Sequence, residues 1–271
     1  MRYGIEIVPF GTFADPRLVM QFARAAEAAG WEGLLVWDHV TFPYGAGDPW
    51  VLLSAAAAVT EKLKLVTGVA ALPRYRPHLL ARTITSLDKL SQGRLILGAG
   101  LGFMDDEFTA FGEPGEKKVR AQMLDEGLDV LTRLWTGQPV TYHGQHYILD
   151  NALLAHTPLQ KPHPPIWIGG ESAPAFRRAA RWQGWIGGTC DENCKTTTQP
   201  ERVAEIVQEI SRHRDSAQPY EIALSGVSDP GQVEKVLAYQ QAGATWWFES
   251  VFGLRGSIDE MIARIQAGPA K

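Results

Sequence analysis

The sequence predicts a closed (β/α)8 TIM barrel, and three observations carry that prediction. Its 271 residues lie close to the roughly 250 typical of one such barrel. Eight short aliphatic runs alternate with eight longer stretches of helical period, as repeated strand–helix units over a parallel sheet do. Runs such as LLVW, KLVTGV and RLILG are apolar on both faces, as strands must be when helices cover them outside and a barrel core fills them inside.

The strands are expected at 3–8, 33–37, 63–69, 94–98, 165–168, 184–187, 221–225 and 245–249. The first helix has clear ends: Asp15 can cap its first turn, Pro16 has the fixed φ suited to the first position, and Gly30 can end it in the left-handed conformation. The other helices are expected at 49–60, 77–90, 117–135, 173–182, 200–214, 231–242 and 257–266. Between the fourth helix and the fifth strand, residues 137–164 read as an insertion: a hairpin turning at His143-Gly144, then a proline-rich return. One domain spanning 1–271 is expected, with the insertion belonging to it.

With 45% hydrophobic and 21% charged residues, the chain can bury a large core and is far from the disordered class. A net charge of −4 and the absence of long like-charge runs argue against nucleic acid or an anionic membrane as partner. The opening MRYGIEIVPF has no apolar core of a secretory signal, and no run of 18 apolar residues occurs, so a cytoplasmic protein is expected. Cys190 and Cys194 lack the spacing of a redox pair and the companions of a zinc site, and two reduced thiols are expected. No metal site is expected: His143 and His146 in HGQH have metal-like spacing without a third ligand.

In barrels of this type function sits at the carboxyl ends of the strands. Asp38 and His39 follow LLVW there, offering an imidazole for acid–base work or, in the plainer reading, a polar turn. RLILGAGLG runs a strand into glycines that allow close approach to the backbone. The following carboxylates either form a solvated helix start or turn one member inward, Glu107 beside Phe108. PPIWIGGES places two glycines and Ser172 before a helix, an arrangement suited to phosphate and also to an ordinary Ser-capped helix, with Arg177, Arg178 and Arg181 farther along. Most of the nine tryptophans are expected in the core, some against a planar cofactor.

These residues resemble the luciferase-like monooxygenase family of flavin and deazaflavin oxidoreductases. The resemblance covers most of the chain through VWDHV, SLDKLSQGRLILGAGLGFMDDEFTAFG, RAQMLDEGLDVLTRLW, TYHGQHYIL, QKPHPPIWIGGES and AGATWWFES. It implies a barrel with an insertion at this point, binding FMN or coenzyme F420 across its mouth. It further implies His39 beside the redox ring with Asp38 orienting it; Glu107, the acid read above as turned inward, is expected to join them as a catalytic residue. Thr67, Gly68 and Val69 would pass behind the ring, where deazaflavin members often have a cis peptide. Gly100, Gly169, Gly170, Glu171, Ser172 and Arg120 would hold the cofactor and its phosphate. Leu101 stands where true luciferases carry a second phosphate-contacting arginine, and the acids do not follow the strand-four glycines directly, which argues against a sugar dehydrogenase.

The reading that follows is a monooxygenase using reduced FMN, oxygen and a small organic substrate, with a flavin reductase as possible partner. The alternatives are F420-dependent hydride transfer, with Arg74, Arg76 and Lys161 as candidates for the cofactor's acidic tail, and a flavin-binding protein without turnover. A homodimer is expected by analogy with relatives. The loops TFPYGAGDPW and ENCKTTTQ are expected to set specificity.

Overall fold

The computed structural model describes residues 1–41, 45–189, 191 and 195–270. Cys190 and Cys194, with parts of both specificity loops, lie outside the described residues.

Eight parallel strands close a barrel: β1 (Arg2–Ile7), β2 (Gly33–Val36), β3 (Lys64–Thr67), β5 (Leu95–Gly100), β8 (Ile166–Gly169), β9 (Gly184–Gly187), β10 (Glu221–Gly226) and β11 (Trp246–Val251). They pair in that order and β11 pairs back onto β1. The two-residue β4 (Ala70–Ala71) adds to the end of β5. Successive side chains point to opposite faces, and two cores result. Ile5, Ile7, Leu34, Leu65 and Leu97 face the helices. Leu35, Val66, Ile96, Ile186, Trp246 and Phe248 belong to the core inside the barrel, where the Trp246 and Phe248 rings stack at 5.2 Å.

The helices are α1 (Pro16–Ala28), α2 (Pro49–Ala57), α3 (Pro77–Leu90), α4 (Asp106–Thr109), α5 (Lys117–Leu134), α6 (Ala173–Ala179), α7 (Pro200–Ser211), α8 (Val233–Gln241) and α9 (Ile258–Gln266). Asp15 caps α1 by accepting from the Arg17 amide at 2.8 Å. The inserted hairpin pairs β6 (Val140–His143) with β7 (Ile148–Ala152). Its turn hangs on Glu126 of α5, which accepts from the amides of Gln145, His146 and Tyr147. The proline-rich return is tied to α3 by buried Asp88, which accepts from the Leu159 and Gln160 amides.

The expected third strand, 63–69, differs most. It stops at Thr67, the Gly68–Val69 peptide is cis, and the chain resumes pairing only in β4. Gly68 makes this course possible, since a Cβ there would lie 2.4 Å from the Leu35 side chain. The fourth expected strand also runs on to Gly100, and α4 is an extra helical turn. No helix among the described residues is long and apolar enough to cross a membrane.

Candidate functional site

Where β2 ends, Trp37, Asp38 and His39 leave the barrel rim in different directions. His39 Nδ1 lies 3.0 Å from Glu107 Oε2, and the other Glu107 oxygen accepts from the amides of Val40 at 2.7 Å and Thr41 at 3.0 Å. Burial pushes the Glu107 carboxyl up, but the two amides and the His39 ring outweigh it and hold it below its ordinary value. An ionised carboxylate only accepts, so Nδ1 carries the N–H that points at Glu107. The Phe10 and Trp37 rings pack around His39 at 6.0 and 5.7 Å.

Asp38 takes other partners. Its Oδ2 accepts from the Ala71 amide at 2.9 Å and the Tyr75 hydroxyl at 3.0 Å. Burial raises this carboxyl, opposed by the Ala71 amide, Arg74 and Tyr75. The carboxylate on the His39 ring nitrogen is thus that of Glu107, and Asp38 fastens the loop after β3 to the end of β2. Arg74 stands between the two acids, 3.7 Å from Asp38, 3.5 Å from Glu107 and 3.9 Å from Glu113. A tail-binding role for Arg74 is at odds with that setting. Arg76 lines a different cleft with His78 and His146, and Lys161 donates to Thr157.

Beside this cluster a cavity of about 360 Å³ opens at the carboxyl end of the barrel. Its floor includes Glu6 and Leu35, its walls Val69 and Ile186, and its rim Phe103 and Lys117. Gly68, Gly100, Gly169, Gly170 and Ser172 also line it. The glycines do more than admit a ligand. A Cβ on Gly100 would lie 2.5 Å from the Val69 side chain, and one on Gly169 2.8 Å from it, so these glycines make room for Val69 to stand in the cavity wall. Gly170, at φ 115°, turns the chain from β8 to Ser172, whose hydroxyl caps α6 through the Ala175 amide at 3.4 Å.

Arg120 is fully buried on α5, one turn after Lys117. Its guanidinium lies 4.2 Å over the Phe108 ring and pairs with Asp105, while Nε and Nη1 have no hydrogen-bond partner. Such buried donors are costly unless satisfied. Thr67 is also buried, with its hydroxyl donating to the Gly98 carbonyl at 2.8 Å, so its side chain serves the β3–β5 pair. Glu171 turns towards α7, accepting from Thr198 at 3.2 Å and facing Arg202 at 3.7 Å. Arg178 is spent on Asp125 of α5, at 2.7 and 2.8 Å.

Sequence reasoning did not single out Glu6 or Lys117 and did not give Arg74 its place between the acids. Lys117 was legible only as the start of a helix, while Glu6 lies inside an ordinary-looking strand.

The luciferase-like monooxygenase family matches residues 8–227, and the chain belongs to it. An uncharacterised Mycobacterium tuberculosis protein is 29% identical over 254 residues, covering 85% of this chain and 84% of that one. An FMNH2-dependent dimethylsulfone monooxygenase of Pseudomonas putida is 32% identical over 169 residues, 61% of this chain and 46% of that protein. The structure of a coenzyme F420-dependent tetrahydromethanopterin reductase from Methanopyrus kandleri superposes with a TM-score of 0.80 at 18% identity, covering 98% of this chain and 96% of that one. The chain is therefore an oxidoreductase of the flavin and deazaflavin luciferase-like class.

Proposed function

We propose that the protein is a monooxygenase that uses reduced FMN, supplied by a separate flavin reductase, to oxygenate a small organic substrate. The observation that carries this reading is Arg120, fully buried with two guanidinium nitrogens unpartnered, one turn from the cavity residue Lys117. A phosphate is the kind of acceptor such donors suit. Lys117, the Ser172 hydroxyl and the backbone at Gly169 and Gly170 complete a phosphate grip at the rim. The glycine-bordered wall at Val69 suits a flat ring.

Bound reduced FMN supplies the electrons that activate oxygen. Leu35, Val69 and Ile186 exclude water from the reacting centre. His39 holds or moves a proton at Nε2, with Glu107 fixing the tautomer and the ring's direction. FMN is preferred to the deazaflavin because the FMN-dependent relative is 32% identical over its match, and because Arg74 is taken up by carboxylates rather than exposed for an acidic tail.

Titrating the purified protein with FMN and with coenzyme F420, followed by fluorescence, tests this. Micromolar or tighter binding of FMN is expected. Binding of F420 alone would assign hydride transfer instead, and binding of neither would remove the functional reading. Bound FMN that, once reduced, turns over oxygen with no substrate-dependent product would point to a flavin carrier.

A further inference from the structure

Glu6 is the one acid among the described residues that line the cavity. Its strand neighbours Ile5 and Ile7 face the helices, so the alternation of the strand turns Glu6 into the barrel, and it is 1% exposed. The indole N–H of Trp37 donates to Oε1 at 2.7 Å and the Ser250 hydroxyl donates to Oε2 at 2.5 Å. Indole nitrogen can only donate, so Oε1 is an acceptor, and both Glu6 oxygens receive hydrogen bonds from the barrel itself. Yet among the described residues no cation forms an ion pair with it.

A second buried glutamate at the same end of the barrel shows what compensation looks like. Glu249 is fully buried and has two arginines, Arg255 at 2.5 Å and Arg264 at 3.3 Å, besides the Ser228 amide and the Trp247 indole. Buried charges are normally paired in this way. Glu6 has the donors but not the cation, and it has the cavity in place of a neighbouring side chain. Burial pushes its carboxyl up, and the Ser225, Ser250 and Trp37 donors only partly oppose this. A carboxylate has roughly four lone-pair sites, so the donors already present leave room for one more.

We propose that Glu6 sets the substrate class: the cavity takes a small, largely apolar molecule with a protonated nitrogen, and the Glu6 carboxylate receives that nitrogen at the cavity floor. The apolar part lies against Leu35, Val69 and Ile186. The proposal deepens the functional reading above by naming what the same cavity selects, and it rests on that reading only for the chemistry that follows binding.

The test measures binding of n-butylamine, n-butanol and butyrate to the full chain at pH 7 by calorimetry, with FMN titrated on the same preparations. The amine is expected to bind at least about 10-fold tighter than the alcohol, as hydrogen bonds to charged groups do, and butyrate most weakly. In Glu6→Gln the amine and the alcohol should bind alike, and in Glu6→Asp part of the preference should return. Equal binding of amine and alcohol to the unaltered protein overturns the proposal without any variant, as does no binding of the amine. Preference retained in Glu6→Gln overturns it too. A protein that selects amines but does not bind FMN would keep this inference and lose the monooxygenase reading; the converse result would do the opposite.

Discussion

The two sides of the barrel mouth are finished to different degrees. On the β2–β3 side, Glu107 meets three donors, Asp38 meets an amide and a phenol, and Arg74 stands between them. On the β8–α5 side, Arg120 has two buried nitrogens without an acceptor, and the Ser172 hydroxyl has only a long capping contact. Arg74 likewise has Nε and Nη1 without a hydrogen-bond partner, but three carboxylates lie within 3.9 Å of it, whereas Arg120 has that of Asp105. On the function proposed above, one half serves proton chemistry and the other holds an anion, and substitutions on the two sides should therefore fail in different measurements.

The sharpest break is expected at His39. His39→Ala removes the imidazole but none of the anion-holding groups, so turnover at saturating reduced FMN should fall roughly 100-fold or more, the scale of lost acid–base catalysis. FMN affinity should change by less than about 2-fold, since the imidazole takes no part in the anion grip. Steady-state rates alongside fluorescence titration give both quantities. Undiminished turnover would take His39 out of the chemistry, and a large loss of affinity would mean that the two halves are not separate.

Arg120 should give the mirror image. Arg120→Met keeps most of the bulk over Phe108 while removing the donors. Hydrogen bonds to charged groups contribute about 1.5–3 kcal/mol, which corresponds to FMN binding weakened by roughly 10- to 100-fold. Turnover with the site saturated should stay within a few-fold of the original. Riboflavin, which has no phosphate, should bind the two proteins equally. If riboflavin loses as much as FMN does, Arg120 supports the cavity through packing and not through charge.

The sequence was more informative about the frame than about these partners. β9 falls on the expected residues 184–187, and α3 on 77–90, because strands covered on both sides and helices opened by proline announce themselves locally. Partnerships between loops do not. Asp38 and His39 are adjacent in sequence, yet the carboxylate on the His39 ring nitrogen comes from Glu107, 68 positions away, on a helical turn after β5. Glu6 was hidden differently. The alternation in IEIV reads as a polar face turned to water, whereas a barrel strand has no such face, so a glutamate flanked by Ile5 and Ile7 must point inward. That inference was available from the predicted fold. The glycines of β5 were legible as places of close approach, but what approaches Gly98 and Gly100 is the chain itself, through the Thr67 carbonyl and the Val69 side chain.

The smallest expected effect tests whether the acid–base half is held by charge. The Glu107 carboxyl lies below its ordinary value because amide donors and the His39 ring overcome its burial. A carboxyl depressed on folding contributes stability that is present above the unfolded glutamate value, about 4.3, and is lost as the pH falls through the depressed value. Glu107→Gln keeps one oxygen for the Val40 and Thr41 amides but loses the charge and puts an NH2 donor where the second oxygen accepts from His39. At about 1 kcal/mol for the difference between a charged and a neutral acceptor, the variant should melt roughly 2–4 °C lower at pH 7. The gap should close as the pH drops below the ordinary glutamate range, because the unaltered protein then loses the same charge. Melting curves at several pH values between 7 and 3 measure this directly. A gap that stays constant over that range would mean that shape and hydrogen bonding, and not the ionised carboxylate, hold His39 in place.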